Sequence, residues 1–253
     1  MREASGPVMG TAAHIMVAGG SPDLPARALQ RLVELEHRWS RFRDNSELSR
    51  LNAAAGTPCV VSTDTVLLVE LLCRAWRESN GRFDPTQVGA LVGLGYSGSF
   101  PELLDTAGAN GALVDVGGDL AVWGAPTPGA AWHVRVEHPD DPNASVADIH
   151  CAQGGIATTS RRRRTWTLSD GTAAHHVLDP VDGRPSRVSW VSATVVADTA
   201  WQAEVGAKVA FLDGAVRRAH GVHAAILVHA DGTVEPLLED QSHIVRVREA
   251  VAS

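Results

Sequence analysis

The chain has 253 residues, of which 44% are apolar and 20% charged, and its formal net charge at neutral pH is −7. This composition is typical of a globular protein with one sizeable core, and it excludes an intrinsically disordered chain. Because the negative charge disfavours nucleic acid and anionic lipid, we expect neither a nucleic acid nor a membrane among its partners.

Cysteine usage and the amino terminus indicate the compartment. The three cysteines are widely spaced and lack CxxC or Cys/His ligand spacing, which argues against a disulfide framework and against a zinc site. Residues 1–10 contain no apolar signal-peptide core, and no run of about eighteen apolar residues occurs anywhere. We therefore predict a cytoplasmic protein.

The basic residues are strongly biased toward arginine. Among the 22 lysines and arginines, Lys208 is the only lysine. An ammonium is a compact point charge and a guanidinium a broad planar fork, so a single lysine suggests a position that arginine cannot fill. The count leaves open the alternative that this lysine persists by chance and has no special role. The only basic cluster covers residues 161–164.

The amino-terminal half predicts one strand and two helices. A strand is expected at residues 14–17, and Ser21-Pro22-Asp23 then supplies a helix start with an early proline. Apolar residues at helical spacing continue to Trp39, so this helix presents one face to a core. A second helix begins near residue 62 and ends at the Asn80-Gly81 signal, and its apolarity on all sides predicts deep burial.

The carboxy-terminal half predicts strands and one further helix, over residues 199–212. Strands flanked by helices, without regular βαβ alternation, predict an α+β fold of mixed, mostly antiparallel sheets. The strands are expected at Trp132–Glu137 and at residues 165–168, 188–197 and 224–229.

Residues 93–98 spell GxGxxG, the dinucleotide-binding pattern. A true fingerprint follows a strand and opens a helix, whereas Phe100-Pro101 comes next here and no βαβ period surrounds it. We therefore reject a Rossmann site, and we expect only a loop and a short helix over residues 102–106 in this stretch.

Five short blocks of residues occur in a fixed order along the chain. They are Val8-Met9-Gly10-Thr11; Trp39-Ser40-Arg41-Phe42 with Asp44 and Ser46-Glu47-Leu48; Phe83-Asp84-Pro85-Thr86; Val114-Asp115-Val116-Gly117-Gly118-Asp119; and His175-His176-Val177-Leu178-Asp179-Pro180. Each block alone is weak. As an ordered set across residues 8–214, they resemble the ApbE-type family of flavin transferases.

The resemblance implies a fold, a reaction and its participants. The fold is an ApbE-like, T-fold-related α+β structure, with residues 1–253 forming a single domain of two intertwined lobes. The reaction is that of an FAD:protein FMN transferase, which cleaves the pyrophosphate of FAD and attaches FMN to a threonine or serine through a phosphoester bond. FAD is therefore the expected ligand, and a flavoprotein is the expected acceptor.

The resemblance also implies which residues form the site. His176, Glu204 and Lys208 take the catalytic positions, and the His176 imidazole near the pyrophosphate can act as acid, base or hydrogen-bond donor. Gly117-Gly118 and Gly154-Gly155 would let the backbone approach the cofactor closely. The alternative interpretations are that His176 is a buried structural histidine and that these glycines only form tight turns. The residues expected to bind the cofactor are Met9, Thr11, Asp84, Thr86, Gly117, Gly118, Asp119, Ala157, Thr158, His175 and Asp179.

Two departures from the family pattern affect its magnesium site. The family's central insert is absent between Tyr96 and Ala112. Where the family usually carries an aspartate and, four residues on, a threonine that both bind Mg²⁺, this chain has Glu204 and Lys208. Because a protonated lysine cannot bind a metal, we expect no metal site, with Glu204 as the ligand if a metal is present. An exposed ion pair at this common helical spacing is the alternative.

Three functions therefore remain open. The first is a flavin transferase, the second a flavin- or nucleotide-binding relative without transfer activity, and the third an enzyme that acts on another small phosphorylated substrate. We also hypothesise that the Lys208 ammonium, held by Glu204 one helical turn away, takes the place of the magnesium ion.

Overall fold

The structure is a computed structural model, and it describes residues 1–87, 108–141, 143–162, 165–167, 171, 173–216, 221–238 and 244–247. The GxGxxG pattern, the short helix expected over residues 102–106 and the position of the missing insert lie outside the described residues.

The described strands are numbered in chain order. They are β1 Arg2–Val8, β2 Thr11–Gly19, β3 Ala109–Val116, β4 Asp119–Gly124, β5 Trp132–Glu137, β6 Ser145–Cys151, β7 Gly154–Ser160, β8 Thr165–Thr167, β9 Ala173–His175, β10 Trp190–Ala197, β11 Val222–His229, β12 Val234–Leu238 and β13 Ile244–Val247.

A central sheet of eight strands organises the fold, in the order β1-β2-β3-β4-β7-β10-β11-β12. All of its neighbouring strands are antiparallel. A second antiparallel sheet has the order β13-β6-β5, and β8 pairs with β9. The expectation of an α+β fold with mostly antiparallel sheets is confirmed.

The described α-helices are α1 Leu24–Trp39, α2 Glu47–Ala54, α3 Thr63–Glu78 and α4 Ala200–Asp213. Proline in the first turn favours the start of α1. The Thr199 side chain caps α4 by accepting from Gln202 N–H, and Gly214, in the left-handed conformation at φ 63°, ends it. None of these helices is both long enough and apolar enough to cross a membrane.

The helices and the smaller sheet cover opposite faces of the central sheet. Apolar side chains of α1 pack on β2 and β3, and those of α4 pack on β7, β10 and β11. On the other face, Trp132, Val136 and Ile149 of the smaller sheet pack against Val122 and Ile156. A further cluster joins α1 and α3 to α4. Three layers result, with the central sheet in the middle.

Two expectations about helices fail in instructive ways. The helix α3 forms where predicted, but deep burial on all sides is wrong, because Trp76 is 51% exposed and Val66 45%. The sequence analysis missed α2, which begins after the Ser46 cap. Since Leu48 is the only buried residue of α2, the segment carries no helical apolar period to detect.

Candidate functional site

A cavity of about 850 Å³ opens where two strands of the central sheet part. Residues 120–122 of β4 pair with residues 154–156 of β7, and there the pairing stops. Beyond this point β7 remains paired with β10 through Ser160, whereas β3 and β4 turn back at Gly117-Gly118. Among the described strands, none therefore pairs with this side of β7, and a ligand can occupy that space.

The turn between β3 and β4 contributes backbone to the cavity wall. Gly117 and Gly118 have φ values of 68° and 100°, and a two-residue hairpin turn that fits the strand twist requires positive φ at such positions. Gly118 N–H donates to Asp115 Oδ1 at 2.8 Å, and Gly117 N–H donates to Ala12 O at 3.1 Å. The first bond closes the turn itself, and the second ties the turn to the start of β2.

Thr11 and Gly117 approach each other closely beside the cavity. A Cβ atom at Gly117 would lie 2.8 Å from Thr11 Oγ1, so only glycine fits this position. Thr11 and Asp119 both line the cavity. Met9 lies in the adjacent turn at φ 55° and packs against the core under α1.

The neighbouring residues His175 and His176 have different surroundings. His176 is half-buried and lines the cavity. His175 is buried, and its ring centroid lies 6.4 Å from that of Phe211 in an edge-on arrangement. Because the carbonyl oxygen of Ser186 can only accept, His175 Nε2 carries the proton in their 3.0 Å hydrogen bond. The structure does not bring His175 into the cavity.

The second ring nitrogen of His175 is isolated. Its Nδ1 is buried and has no hydrogen-bond partner within the described part of the chain. Burial lowers the pKa of His175. The hydrogen bond to Ser186 raises this pKa by a smaller amount, and the charge of Arg161 lowers it by the smallest. The ring is therefore a neutral core element near pH 7. The sequence analysis considered a buried structural histidine as the alternative for His176, whereas in the structure His175 is the buried histidine and His176 lines the cavity.

Arg82 joins three segments that meet at the cavity. Its Nη1 donates to Asp179 Oδ1 at 2.7 Å, and its Nη2 lies 2.6 Å from Asp213 Oδ1 at the end of α4. Burial acts to raise the pKa of Asp179, but the bonds from Arg82 and from Val181 N–H outweigh it and hold that pKa below its usual value. Arg82 lines the cavity, and Asp179 lies behind it as its partner.

Asp84 and Thr86 form a local turn at the cavity edge. Asp84 Oδ1 accepts from Thr86 N–H at 2.8 Å and from Thr86 Oγ1 at 2.7 Å. Asp84 lines the cavity, whereas Thr86 is exposed outside it. Phe83, only 1% exposed, anchors the turn in the helical core. In this geometry Thr86 orients the Asp84 carboxylate.

Glu204 and Lys208 lie one turn apart on α4, and both line the cavity. Lys208 Nζ donates to Glu204 Oε1. The Glu204 side chain is 6% exposed and that of Lys208 22%, whereas the pair of Arg27 and Asp23, at the same spacing, is 51% and 56% exposed. The alternative of an exposed surface pair is therefore wrong, since these two charges belong to a largely buried wall.

Strand β7 supplies hydroxyl groups to the wall. Thr158 Oγ1 and Thr194 Oγ1 share a hydrogen bond of 2.9 Å across β7 and β10. Thr159 also lines the cavity, and its Oγ1 is buried without a hydrogen-bond partner among the described residues. Buried hydroxyls are nearly always paired, so an unpaired one on a cavity wall points to a missing polar partner.

The arginines that follow β7 separate into two roles. Arg162 lines the cavity, and its Nε lies 2.9 Å from Asp140 Oδ1. Arg161 instead donates to the carbonyl oxygen of Val188 at 2.9 Å, and burial lowers its pKa. Residues 163 and 164 lie outside the described residues.

The cavity gathers most of the residues that the sequence analysis proposed for the site. Those that line it are Thr11, Asp84, Gly117, Gly118, Asp119, Thr158, His176, Glu204 and Lys208. Five proposed residues do not line it: Met9, Thr86, Ala157, His175 and Asp179. Ala157, with no exposed surface, packs instead in the core under α4. The binding roles of all these residues remain predictions.

Arg82 and Thr159 are among the polar residues of the cavity wall that were not predicted from the sequence. Arg82 directly precedes the Phe83-Asp84 block, but no spacing marks it as the partner of two distant carboxylates. Thr159 directly follows Thr158, and nothing in the sequence shows that its hydroxyl lacks a partner.

The residues of the cavity do not fit the magnesium ion that the family resemblance implies. The described residues include no group of three or more His, Cys, Asp or Glu side chains that could hold a metal. Glu204 already accepts a charged hydrogen bond from Lys208, and an ammonium has no lone pair to give to a metal. Lys208 therefore places an ammonium beside the carboxylate that the family resemblance assigns to the metal site.

The chain is similar to known flavin transferases in sequence. It is 27% identical to the FAD:protein FMN transferase of Vibrio cholerae over 252 residues, which cover 76% of this chain and 75% of the relative. With the enzyme of the same name from Salmonella typhimurium it shares 37% identity over 115 residues, and this match spans 45% of this chain and 33% of the relative.

Solved structures share its fold. The flavin transferase ApbE from Vibrio cholerae superposes with a TM-score of 0.74 at 20% identity, covering 94% of this chain and 96% of that one. The ApbE protein of Thermotoga maritima gives a TM-score of 0.70, also at 20% identity, over 95% and 97% of the two chains. The model of the ApbE family matches residues 9–101 and 99–225. The chain therefore belongs to the ApbE family.

Proposed function

We propose that this chain is a flavin transferase that uses FAD as its substrate and attaches FMN to a threonine or serine of an acceptor flavoprotein. One observation carries the proposal: a single cavity of about 850 Å³ gathers residues from four of the five sequence blocks. Its volume falls in the range of small-molecule sites. The relatives named FAD:protein FMN transferase support the same reaction.

The reaction breaks a phosphoanhydride bond and forms a phosphoester bond. The acceptor hydroxyl oxygen forms a bond to the phosphorus of the FMN half, and the bond from that phosphorus to the bridging oxygen of the pyrophosphate breaks. AMP leaves with the electron pair, and the hydroxyl proton must pass to a base. Because phosphoryl transfer depends mainly on positioning and on stabilising negative charge, the chain has to supply cations and oriented donors.

We assign these tasks to residues on the cavity wall. His176 is the proposed proton acceptor, because it is the histidine of this wall that belongs to one of the five sequence blocks. The exposed backbone at Gly117-Gly118 lets the cofactor approach closely. Lys208 and Arg82 bring positive charge to the leaving phosphate, and no step passes through a metal ion.

A direct test measures FMN transfer. The purified protein is incubated with FAD and candidate acceptor flavoproteins, and mass spectrometry then detects FMN on a threonine or serine. We expect transfer by the natural protein and a loss of roughly 100-fold or more for His176→Asn. The matched control is His37→Asn, which changes an exposed histidine on α1 outside the cavity.

The same experiment separates the transferase from the alternative without transfer. Retention of flavin by the purified protein, with no FMN on any acceptor, would replace the proposed enzyme with a flavin-binding relative. Equal FMN transfer by the natural protein and the His176→Asn variant would support the proposed enzyme but show that His176 is not its base.

We also propose that the protein acts in the cytoplasm. Cys59, Cys73 and Cys151 are all free thiols in the structure, as expected for a protein of a reducing compartment. Fractionation of the native host, followed by detection of the protein, tests this location.

A further inference from the structure

We propose that Lys208, held by the buried carboxylate of Glu204, is a built-in cation that binds the pyrophosphate group of the ligand without a divalent metal ion. The identity of that ligand as FAD rests on the proposed function. The presence of a metal-independent pyrophosphate site at Lys208 does not, because it follows from the geometry of α4 and the cavity wall.

The first argument is burial. Helix α4 is enclosed on most sides, with nine of its residues buried, and Glu204 is among them. A charged side chain is rarely buried without a partner, since removing it from water is costly. Glu204 has its partner in Lys208, so the pair keeps an ammonium fixed on the wall of a cavity that is open to a ligand.

The second argument is the remaining bonding capacity of Lys208. An ammonium has three N–H donors, and within the described residues Lys208 uses one of them on Glu204 Oε1. Two donors therefore remain for oxygen atoms of a ligand. Arg82 and Arg162 are also paired with carboxylates, Arg82 with Asp179 and Asp213 and Arg162 with Asp140, and each keeps N–H groups that can add to those of Lys208.

The third argument is an independent sign of a missing ligand. Thr159 belongs to β7, where Ala157, two positions earlier, packs beneath α4. Residues two positions apart share one face of a strand, so Thr159 lies on the face that α4 covers. Its buried hydroxyl has no partner among the described residues and can donate to a phosphate oxygen on the same side of the sheet as Lys208.

Charge then explains how this site differs from a metal site. The Glu204 carboxylate compensates the single charge of Lys208, whereas a divalent ion beside one carboxylate keeps a net positive charge. The ammonium therefore attracts pyrophosphate less strongly than a magnesium ion would, but it needs no ion from solution. Affinity for pyrophosphate should be modest and insensitive to chelators.

The test is a titration by calorimetry with two probes, FAD and inorganic pyrophosphate, each in EDTA and in Mg²⁺. We expect the natural protein to bind both probes in EDTA, with a change of about twofold or less in Mg²⁺. Lys208→Met should weaken both probes roughly 10- to 100-fold in EDTA, because it removes charged hydrogen bonds. Thr159→Val should weaken them roughly 5-fold.

Three further variants make the result specific. Lys208→Met combined with Glu204→Gln removes the unpaired buried carboxylate, so a loss of binding in this variant cannot come from that charge alone. Lys208→Thr with Glu204→Asp restores the pair usual in the family and should make binding depend on Mg²⁺. Arg27→Met removes one charge from an exposed pair on α1 and should bind like the natural protein.

The outcomes separate this inference from the proposed function. Pyrophosphate binding that depends on Lys208, with no binding of FAD, upholds the site and overturns the flavin substrate. Binding of either probe only in Mg²⁺, or no binding of either probe in EDTA, overturns the built-in cation. Unchanged affinity in folded Lys208→Met protein, checked by circular dichroism, also overturns it.

Discussion

The Arg82 guanidinium and the Asp179 carboxylate, 97 residues apart in sequence, lie 2.7 Å apart between Nη1 and Oδ1. Asp179 in turn accepts from Val181 N–H, and its own N–H donates to the Arg184 carbonyl oxygen. Arg82, four residues beyond the end of α3, is thereby tied to the loop that begins with His176. A single ion pair thus orders two walls of the cavity.

We expect Arg82→Met to lower the free energy of unfolding by about 1 to 3 kcal/mol, since it removes charged hydrogen bonds from partly buried carboxylates. FAD binding should weaken as well, because the His176 loop loses its tie. Denaturant unfolding and flavin titration measure the two effects. Arg27→Met is the control, and an equal loss of stability in that variant would contradict a special role for Arg82.

The ion pair also predicts a dependence on pH. The folded-state pKa of Asp179 is lowered, so its stabilising contribution is complete above the unfolded value of 3.8 and is lost as the pH falls through the folded value. The difference in unfolding free energy between the natural protein and Asp179→Asn should therefore be constant near neutrality and shrink below about pH 3.8. A difference that grows on acidification would contradict the ion pair.

His175 predicts a second pH effect at a higher pH. Burial lowers its folded-state pKa below the ordinary histidine value of 6.5, so the unfolded chain binds the proton first. The natural protein should lose stability as the pH falls below about 6.5, and His175→Leu should remove that part of the slope. Denaturant unfolding between pH 5 and 8 measures it, with His37→Leu as the exposed control. If the unfolding free energy of the natural protein and of His175→Leu changed equally with pH, the buried, neutral state of the His175 ring would be contradicted.

Gly117 and Gly118 should respond differently to alanine. At Gly117 a Cβ meets Thr11 Oγ1 at 2.8 Å and φ is +68°, whereas at Gly118 no atom lies within 4 Å. We expect Gly117→Ala to destabilise the fold by about 2 kcal/mol or more, and Gly118→Ala by about 1 kcal/mol, from backbone strain alone. Thr11→Ala should relieve part of the Gly117→Ala effect in the double variant. Equal costs at the two glycines would contradict the close contact.

The sequence could predict the fold class, the strand β5 and the helix α4, because their apolar periods and capping residues are local signals. It could not predict which of two adjacent histidines enters the cavity. That choice depends on the pleat of β9, which turns His175 toward Phe211. The register of so short a strand is set by its partner β8 and carries no sequence pattern of its own.

The roles of Gly154 and Gly155 could not be read from the sequence either, because they depend on which part of the fold lies beside them. The sequence interpretation gave Gly154 and Gly155 to backbone approach by a cofactor, and the structure gives them to packing. A Cβ at Gly155 would lie 2.3 Å from Ala200 Cα at the start of α4, and one at Gly154 would lie 2.4 Å from the Ala197 carbonyl oxygen. The close neighbour is the start of α4 at Gly155 and the end of β10 at Gly154, and only tertiary structure identifies these neighbours.

These two glycines lie in the three-residue pairing that joins β4 to β7. The central sheet thus consists of two four-stranded halves, β1-β2-β3-β4 and β7-β10-β11-β12, which these three residue pairs join. Helix α1 covers the first half and α4 covers the second. The cavity begins where this pairing ends. A change in the twist of one half relative to the other must alter the width of the gap between β4 and β7. Substitutions in this pairing should therefore change ligand affinity even where they do not touch the ligand.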